Sequence, residues 1–371
     1  MKEPTEIDAL PTRARVAALL TGVAVAFLAM WLLQRTESTA EVADALGQSR
    51  TAEATWQGMR LSAWGNPEFY GQLFTATNGH PHSKVGFWLG NSQLNTINGY
   101  QEGNQAGPHY ASEALGWPMM GFMLPNASLQ EHHVVTQWLF TQARPEWLLL
   151  PVVFDDLRED GLRESLKRLA TPETLAALRQ RPTGARLAGE LEKIGVERSD
   201  AQGTTRKARS GQQMAEAFLE RQLSARCPLW AERGTALGRC HYALYDFRNY
   251  LFGITPSTKR KIIPARRVKN MAAFKEILET ARQRQVRCLV YVAPTRWDVE
   301  PPYELADYAG WKQEVQALCL AHGAQFADLD RLVPSEHWGL FYGKNIDFMH
   351  FAHEGHVLLG RKVAGLIQAA P

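Results

Sequence analysis

From Ser83 onward, short apolar runs alternate with longer segments in which apolar residues recur every three or four positions. Val85–Leu89, Met120–Leu124, Trp147–Phe154, Val286–Ala293 and Gln325–Leu329 are too short for helices, and the spacing predicts five strands. The third run, WLLLPVVF, is almost continuously apolar, as expected of a strand covered on both faces. Helical spacing fills the gaps. Ser128-Leu129-Gln130-Glu131 is a capping box opening a helix to about Thr141. Ala272–Gln285, Leu305–His322 and His356–Gln368 follow the same period. Strand–helix alternation of this kind predicts an α/β fold. The expected form is a three-layer αβα sandwich around a five-stranded, mostly parallel sheet with right-handed crossovers.

Two stretches interrupt the alternation. About 130 residues separate the third and fourth strands, too many for one crossover. Residues 157–267, charged and largely helical in pattern, are therefore expected as a helical insertion forming a cap or side lobe, with Arg206–Arg209 a solvated loop. Upstream, residues 34–82 are polar and read as a stalk, with room for a short helix around Thr39–Met59. Before that, Val16–Leu33 is an uncharged run of eighteen residues, just enough to cross the hydrocarbon core as a helix. Lys2, Arg13 and Arg15 precede it, so residues 1–15 are expected in the cytoplasm and residues 83–371 outside the membrane. Trp31 falls at an interfacial position. A cleaved signal peptide is the competing reading. Its apolar core is usually shorter, and the small-x-small site Ala43-Asp44-Ala45 lies well downstream. An extracytoplasmic domain, periplasmic or extracellular, meets little ATP, NAD or coenzyme A, and no cofactor is expected.

Composition adds modest constraints. The chain has 371 residues, 45% of them apolar, and a net charge of +3 from 41 basic and 38 acidic side chains, which gives no reason to expect nucleic acid as a partner. Eleven tryptophans leave room for aromatic platforms under sugar rings. The cysteines Cys227, Cys240, Cys288 and Cys319 form no C-x-x-C pair, so a zinc ribbon is not expected. Cys227 and Cys240 are placed to form a disulfide in an oxidising compartment. Cys288 on a strand and Cys319 on a helix read as buried thiols. His109 and the His132-His133 pair do not assemble a metal set, the pair facing different sides of a helix.

Chemistry should gather where the loops leave the carboxyl ends of the strands. The first of these is Gly90-Asn91-Ser92, at the end of KVGFWLGNS. Far away, Asp347-Phe348-Met349-His350 supplies a base and a group to orient it. An imidazole titrates near ~6.5 in solution and can take the Ser92 proton. Asp347, three residues earlier on a loop, can hold the other ring nitrogen and stabilise the imidazolium. A tetrahedral intermediate also needs donors. The Ser92 amide, an amide of the Asn126-Ala127 turn and the Asn126 side chain are the candidates. Asn91, Asp156 and Arg158 lie on the same edge. So do Arg296, Trp297 and Trp338, the arginines placed for an anionic group and the tryptophans for a sugar face.

The pair Gly90-Asn91-Ser92 and Asp347-x-x-His350 resembles the SGNH (GDSL-like) hydrolase superfamily over residues 83–371. In that family the serine follows the first strand and D-x-x-H precedes the last helix. The family's Asp after the first Gly is Asn91 here, its second-block Gly has no clear match, so that Asn126 or Ala127 would serve in its place through backbone or side-chain amide, and its third-block Asn falls at Asp155 or Asp156. Anchor, extracytoplasmic domain and long insertion together resemble the DltD-like and alginate-acetylation (AlgX/AlgJ-like) branch. That resemblance implies a serine esterase or O-acyltransferase acting on acyl, above all acetyl, groups of a surface polysaccharide beside a membrane-bound O-acyltransferase. The altered middle motifs leave a second expectation: a non-catalytic polymer-binding or scaffolding subunit of such a system.

Overall fold

The computed structural model describes residues 50–63, 67–77, 84–199, 247–255, 257–341 and 345–370, together with the isolated positions 21, 218, 222, 223, 226 and 244. The expected anchor, Thr21 apart, and both Cys227 and Cys240 lie outside these. Among the described residues no helix is long and apolar enough to cross a membrane. The chain divides into two compact units, one of residues 1–44 and 204–255, the other of 45–203 and 256–371. Of the first, 247–251 is helical and Gly253 closes it at φ 61°. The second contains the sheet and the site.

Its strands are β1 (Ser62–Ala63), β2 (Gly86–Gly90), β3 (Met119–Met123), β4 (Trp147–Val152), β5 (Arg287–Val292) and β6 (Gln325–Asp328). They lie in the order β6-β5-β4-β2-β3-β1, and every pairing is parallel. A hairpin, β7 (Trp338–Phe341) and β8 (Asn345–Phe351), follows. The five expected strands are all present within a residue or two. The sixth comes from the segment expected to be a stalk. Residues 50–63 form short strands there, not a helix, and Leu61, Tyr70 and Leu73 are buried. Those apolar side chains are spaced too irregularly to advertise a strand, yet each finds the core.

The helices are α1 (Tyr70–Thr77), α2 (Gly107–Leu115), α3 (Leu129–Gln142), α4 (Pro172–Leu178), α5 (Pro182–Ser199), α6 (Pro264–Gln283), α7 (Leu305–Ala321) and α8 (His353–Gln368). The capping box at Ser128 and Glu131 is formed in both directions. Period-2 alternation sorts the strand side chains into two layers. Phe87, Leu89, Phe122, Leu148 and Leu150 join a core with residues of α3, α6 and α7. Trp88, Met119, Met123, Leu149 and Tyr291 join another with α2 and α8. Part of the expected insertion does not stand aside as a lobe. Leu187, Ala188 and Leu191 of α5 are buried in the first core, and α6 starts inside the insertion's expected bounds. Cys288 and Cys319 are free, buried thiols, and burial raises both, Cys319 to about 12.

β2 is the strand on which the topology turns. The chain moves from β2 to β3 on one side, then crosses to β4 on the other and proceeds outward. Crevices for ligands open at such reversals, beyond the carboxyl ends of the strands. β2 ends there in Gly90 and Asn91.

Candidate active site

Gly90 ends β2 without a side chain because the next turn folds back on it. A Cβ there would lie 2.8 Å from Leu94 Cβ and 2.7 Å from Cδ2. Asn91 caps the one-turn helix Ser92–Leu94, its Oδ1 accepting the Gln93 N–H at 2.9 Å. Gln93 Nε2 in turn donates to the Pro294 carbonyl beyond β5 at 2.8 Å. Ser92 is thereby fixed at the start of a short helix, half-buried, at the sheet's reversal.

The hairpin β7/β8 brings the other two groups. Trp338 pairs with Phe351 and Leu340 with Ile346, so four residues, Asp347 to His350, stand opposite Gly339 alone. They bulge out of β8; the expected loop is an irregular strand. Asp347 Oδ1 pins the bulge by accepting the amides of Met349 at 2.8 Å and His350 at 2.9 Å. Its Oδ2 accepts from His350 Nδ1 at 2.9 Å, and His350 Nε2 lies 3.0 Å from Ser92 Oγ. With Nδ1–H given to Asp347, Nε2 is left to accept the Ser92 hydroxyl proton. Burial alone would raise the Asp347 carboxyl. The His350 hydrogen bond and charge and the two amides outweigh it and hold the group below the usual carboxylate range. Asn98 stitches this hairpin to the Ser92 segment: its amide donates to Phe351 O at 3.0 Å and its Nδ2 to Leu340 O at 3.1 Å.

The loop after β3 runs beside the end of β2. Gly90 pairs with Met123, and Leu124 N–H donates to Gly90 O at 2.8 Å. Leu124-Pro125-Asn126-Ala127 is a turn with Asn126 at φ 52°, the pattern of a type II turn with proline second. Ala127 is buried, and its N–H closes the turn on Leu124 O at 3.0 Å. That amide is spent, so Ala127 drops out as an oxyanion donor. Among the described residues neither the Ser92 nor the Asn126 amide finds an acceptor.

Several expected substrate contacts are engaged elsewhere. Asn91 is buried and serves its own turn. Asp156 is buried and accepts the Val153 N–H at 2.9 Å. Burial pushes its carboxyl well above the usual range, the Val153 amide draws it back, and Asp155 and Glu159 push it further up. Arg158 pairs with Asp155 at 3.1 Å, and Arg260 and the Tyr303 hydroxyl meet the same carboxylate. Arg296 is bidentate on Asp298 and donates to Gly339 O at 2.8 Å, leaving no fork for an anion. Trp297 has Arg331 over its ring at 4.4 Å and its N–H on Asp330 O. Trp338 is core: it packs on Phe351 and donates to Val333 O. Apolar pattern cannot separate a platform tryptophan from a core one. The residues that sequence reasoning missed are Gln93, Asn98, Glu131 and Arg163, which hold the loops together. Only Glu131 carried a signal, as the acidic residue three places after the cap in a capping box.

His132 and His133 are both buried in α3, and burial lowers each to about 3. His356 in α8 is likewise pushed to about 3 by burial, and its Nε2 reaches Thr96 O at 3.1 Å.

No family model and no curated protein matches the chain. Among solved structures, a carbohydrate acetylesterase from Sinorhizobium meliloti superposes with a TM-score of 0.35 at 9% identity, over 77% of this chain and 99% of its own. A family two carbohydrate esterase from Clostridium thermocellum, in complex with cellohexaose, gives 0.38 at 9%, over 78% of this chain and 64% of its own. An aryl esterase from M. smegmatis gives 0.34 at 9%, over 77% and 99%. Overlap at this level assigns neither activity nor substrate to this chain.

Proposed function

We propose that the protein is a serine esterase or O-acyltransferase of SGNH type. It acts outside the cytoplasmic membrane on acyl groups, acetyl foremost, of a cell-surface polysaccharide. One observation carries the chemistry: a single imidazole bonded to a buried carboxylate at 2.9 Å and to a serine hydroxyl at 3.0 Å. Ser92 Oγ attacks the ester carbonyl as His350 Nε2 takes its proton. The tetrahedral oxyanion meets the Ser92 and Asn126 amides. Collapse expels the sugar alcohol, which takes the proton back from His350, and leaves an acyl-enzyme. Water attacking that ester completes hydrolysis, and a second sugar hydroxyl completes transfer. Both use the same base and the same donors.

Support for the location is the uncharged run Val16–Leu33 with its basic leading flank. A membrane-bound O-acyltransferase is the proposed partner, supplying acyl groups across the bilayer. A purely scaffolding role does not need the serine within hydrogen-bond reach of a base, and the 3.0 Å contact speaks for catalysis. The test is covalent. The folded chain is expected to react with a fluorophosphonate probe, and Ser92→Ala to abolish the adduct. An unlabelled wild-type protein, or equal labelling of the variant, overturns the reading.

A further inference from the structure

We propose that Arg163, held by Glu131, is a positioning residue for the oxyanion site: it fixes the Pro125–Asn126 peptide so that the Asn126 N–H stays presented to the carbonyl oxygen of the bound ester. This rests on the serine-esterase reading above.

Arg163 precedes the short 3₁₀ helix Glu164–Leu169 and reaches back to the loop after β3. Its Nε donates to Glu131 Oε1 at 2.8 Å and its Nη2 to Oε2 at 2.7 Å, a bidentate pair. The Arg163 amide adds a third bond to Oε1 at 2.9 Å, and the Ser128 amide meets Oε2 at 3.2 Å. The carboxylate is buried and saturated with donors. What remains of the guanidinium faces the turn. Nη1 donates to Pro125 O at 2.8 Å and Nη2 to Asn126 O at 3.1 Å.

The first of these carbonyl contacts decides the turn's form. Types I and II differ by a flip of the central peptide, here Pro125–Asn126, through about 180°. The closing bond, Ala127 N–H to Leu124 O, is common to both forms and does not choose between them. In a planar trans peptide the N–H points opposite to the C=O. Arg163 holds Pro125 O, so it also sets the direction of the Asn126 N–H. A flip would turn that donor away and bring a carbonyl oxygen in its place, where it would repel the developing oxyanion. Asn126 at φ 52° also spends some conformational energy that its neighbours must offset, which the grip on both carbonyls does.

The experiment is steady-state hydrolysis of p-nitrophenyl acetate by the full chain in detergent, comparing wild type, Arg163→Ala and Arg163→Lys, with melting temperature read alongside. Lysine keeps a cation beside Glu131 but not the fork that spans two carbonyls. Removing an oxyanion donor costs roughly 10²–10³-fold in kcat, and Arg163→Ala is expected to lose about that with KM changed little. Arg163→Lys, the better folded of the two, is expected to lose at least about tenfold. Affinity for a boronic-acid analogue should fall in step with kcat, and added guanidinium ion should restore part of the Arg163→Ala rate. Folded variants with wild-type kcat, or losses confined to melting temperature or KM, overturn the positioning role alone. A wild-type protein with neither hydrolysis nor fluorophosphonate labelling overturns the esterase reading and this proposal with it.

Discussion

At Asp347 two forces oppose each other. Burial disfavours the carboxylate, while His350 and two amides favour it, and the second set wins. A carboxyl depressed in the folded state contributes stability that is fully present above its unfolded value, near ~3.9, and is lost as pH falls through the lower folded value. Asp347→Asn removes that contribution. Wild type should therefore melt higher than the variant near neutral pH, and the gap should close as pH drops below about 4. A gap that stays constant down to acid pH would mean that Asp347 acts through shape alone. The same substitution should cut kcat by roughly 10²–10⁴-fold, because the imidazole then loses both its orienter and the charge that stabilises its protonated form. The three residues of this group were legible in the sequence for a chemical reason. Serine after a glycine-ended strand and D-x-x-H before the last helix both fall where loops converge. Trp338, Arg296 and Arg158 misled for the complementary reason. Sequence tells which side chains sit near an edge, but not which neighbour has already claimed them.

The elements that carry Ser92 and His350 share an apolar core through Leu94, Trp338 and Phe351, and they are also joined by short polar side chains, which leave no periodic trace. Asn98 is the clearest case. It is buried, and its amide group lies so close to Gly339 that a Cβ there would sit 1.7 Å from Asn98 Cγ. Gly339→Ala must therefore expel the Asn98 side chain and strip Leu340 O of its donor. Leaving buried polar groups unpaired costs about 1–3 kcal/mol. The expected result is a lower melting temperature together with a kcat loss larger than the stability change would produce, since Gly339 is the residue opposite the Asp347–His350 bulge. Full activity in a folded Gly339→Ala protein would show that the hairpin does not depend on Asn98 for its place. Strands β2 to β5 were legible because two-sided burial writes continuous apolar runs. β1 was not, because two residues at a sheet edge are too few to form a pattern.

On the scale of the whole molecule, every residue of the proposed chemistry falls within residues 45–203 and 256–371. The apolar run Val16–Leu33 falls in the other unit. We propose that catalysis and membrane attachment are separable. Eighteen uncharged residues suffice to hold a helix in the hydrocarbon core. The full chain should sediment with membranes and stay there through an alkaline carbonate wash, which strips peripheral proteins. A chain lacking residues 1–44 should partition to the aqueous phase. It should hydrolyse a small soluble ester within about twofold of the full-length rate, because Ser92, Asn98, Arg163, Asp347 and His350 find the partners described above within residues 45–203 and 256–371. Its effect on a surface polymer in cells should nonetheless collapse, since a free domain would lose the high local concentration that the proposed tether beside a membrane donor would provide. Release of the full chain by carbonate would refute the anchor. A folded truncation that fails on the soluble ester would refute the separation, placing part of the active site's support in the first 44 residues.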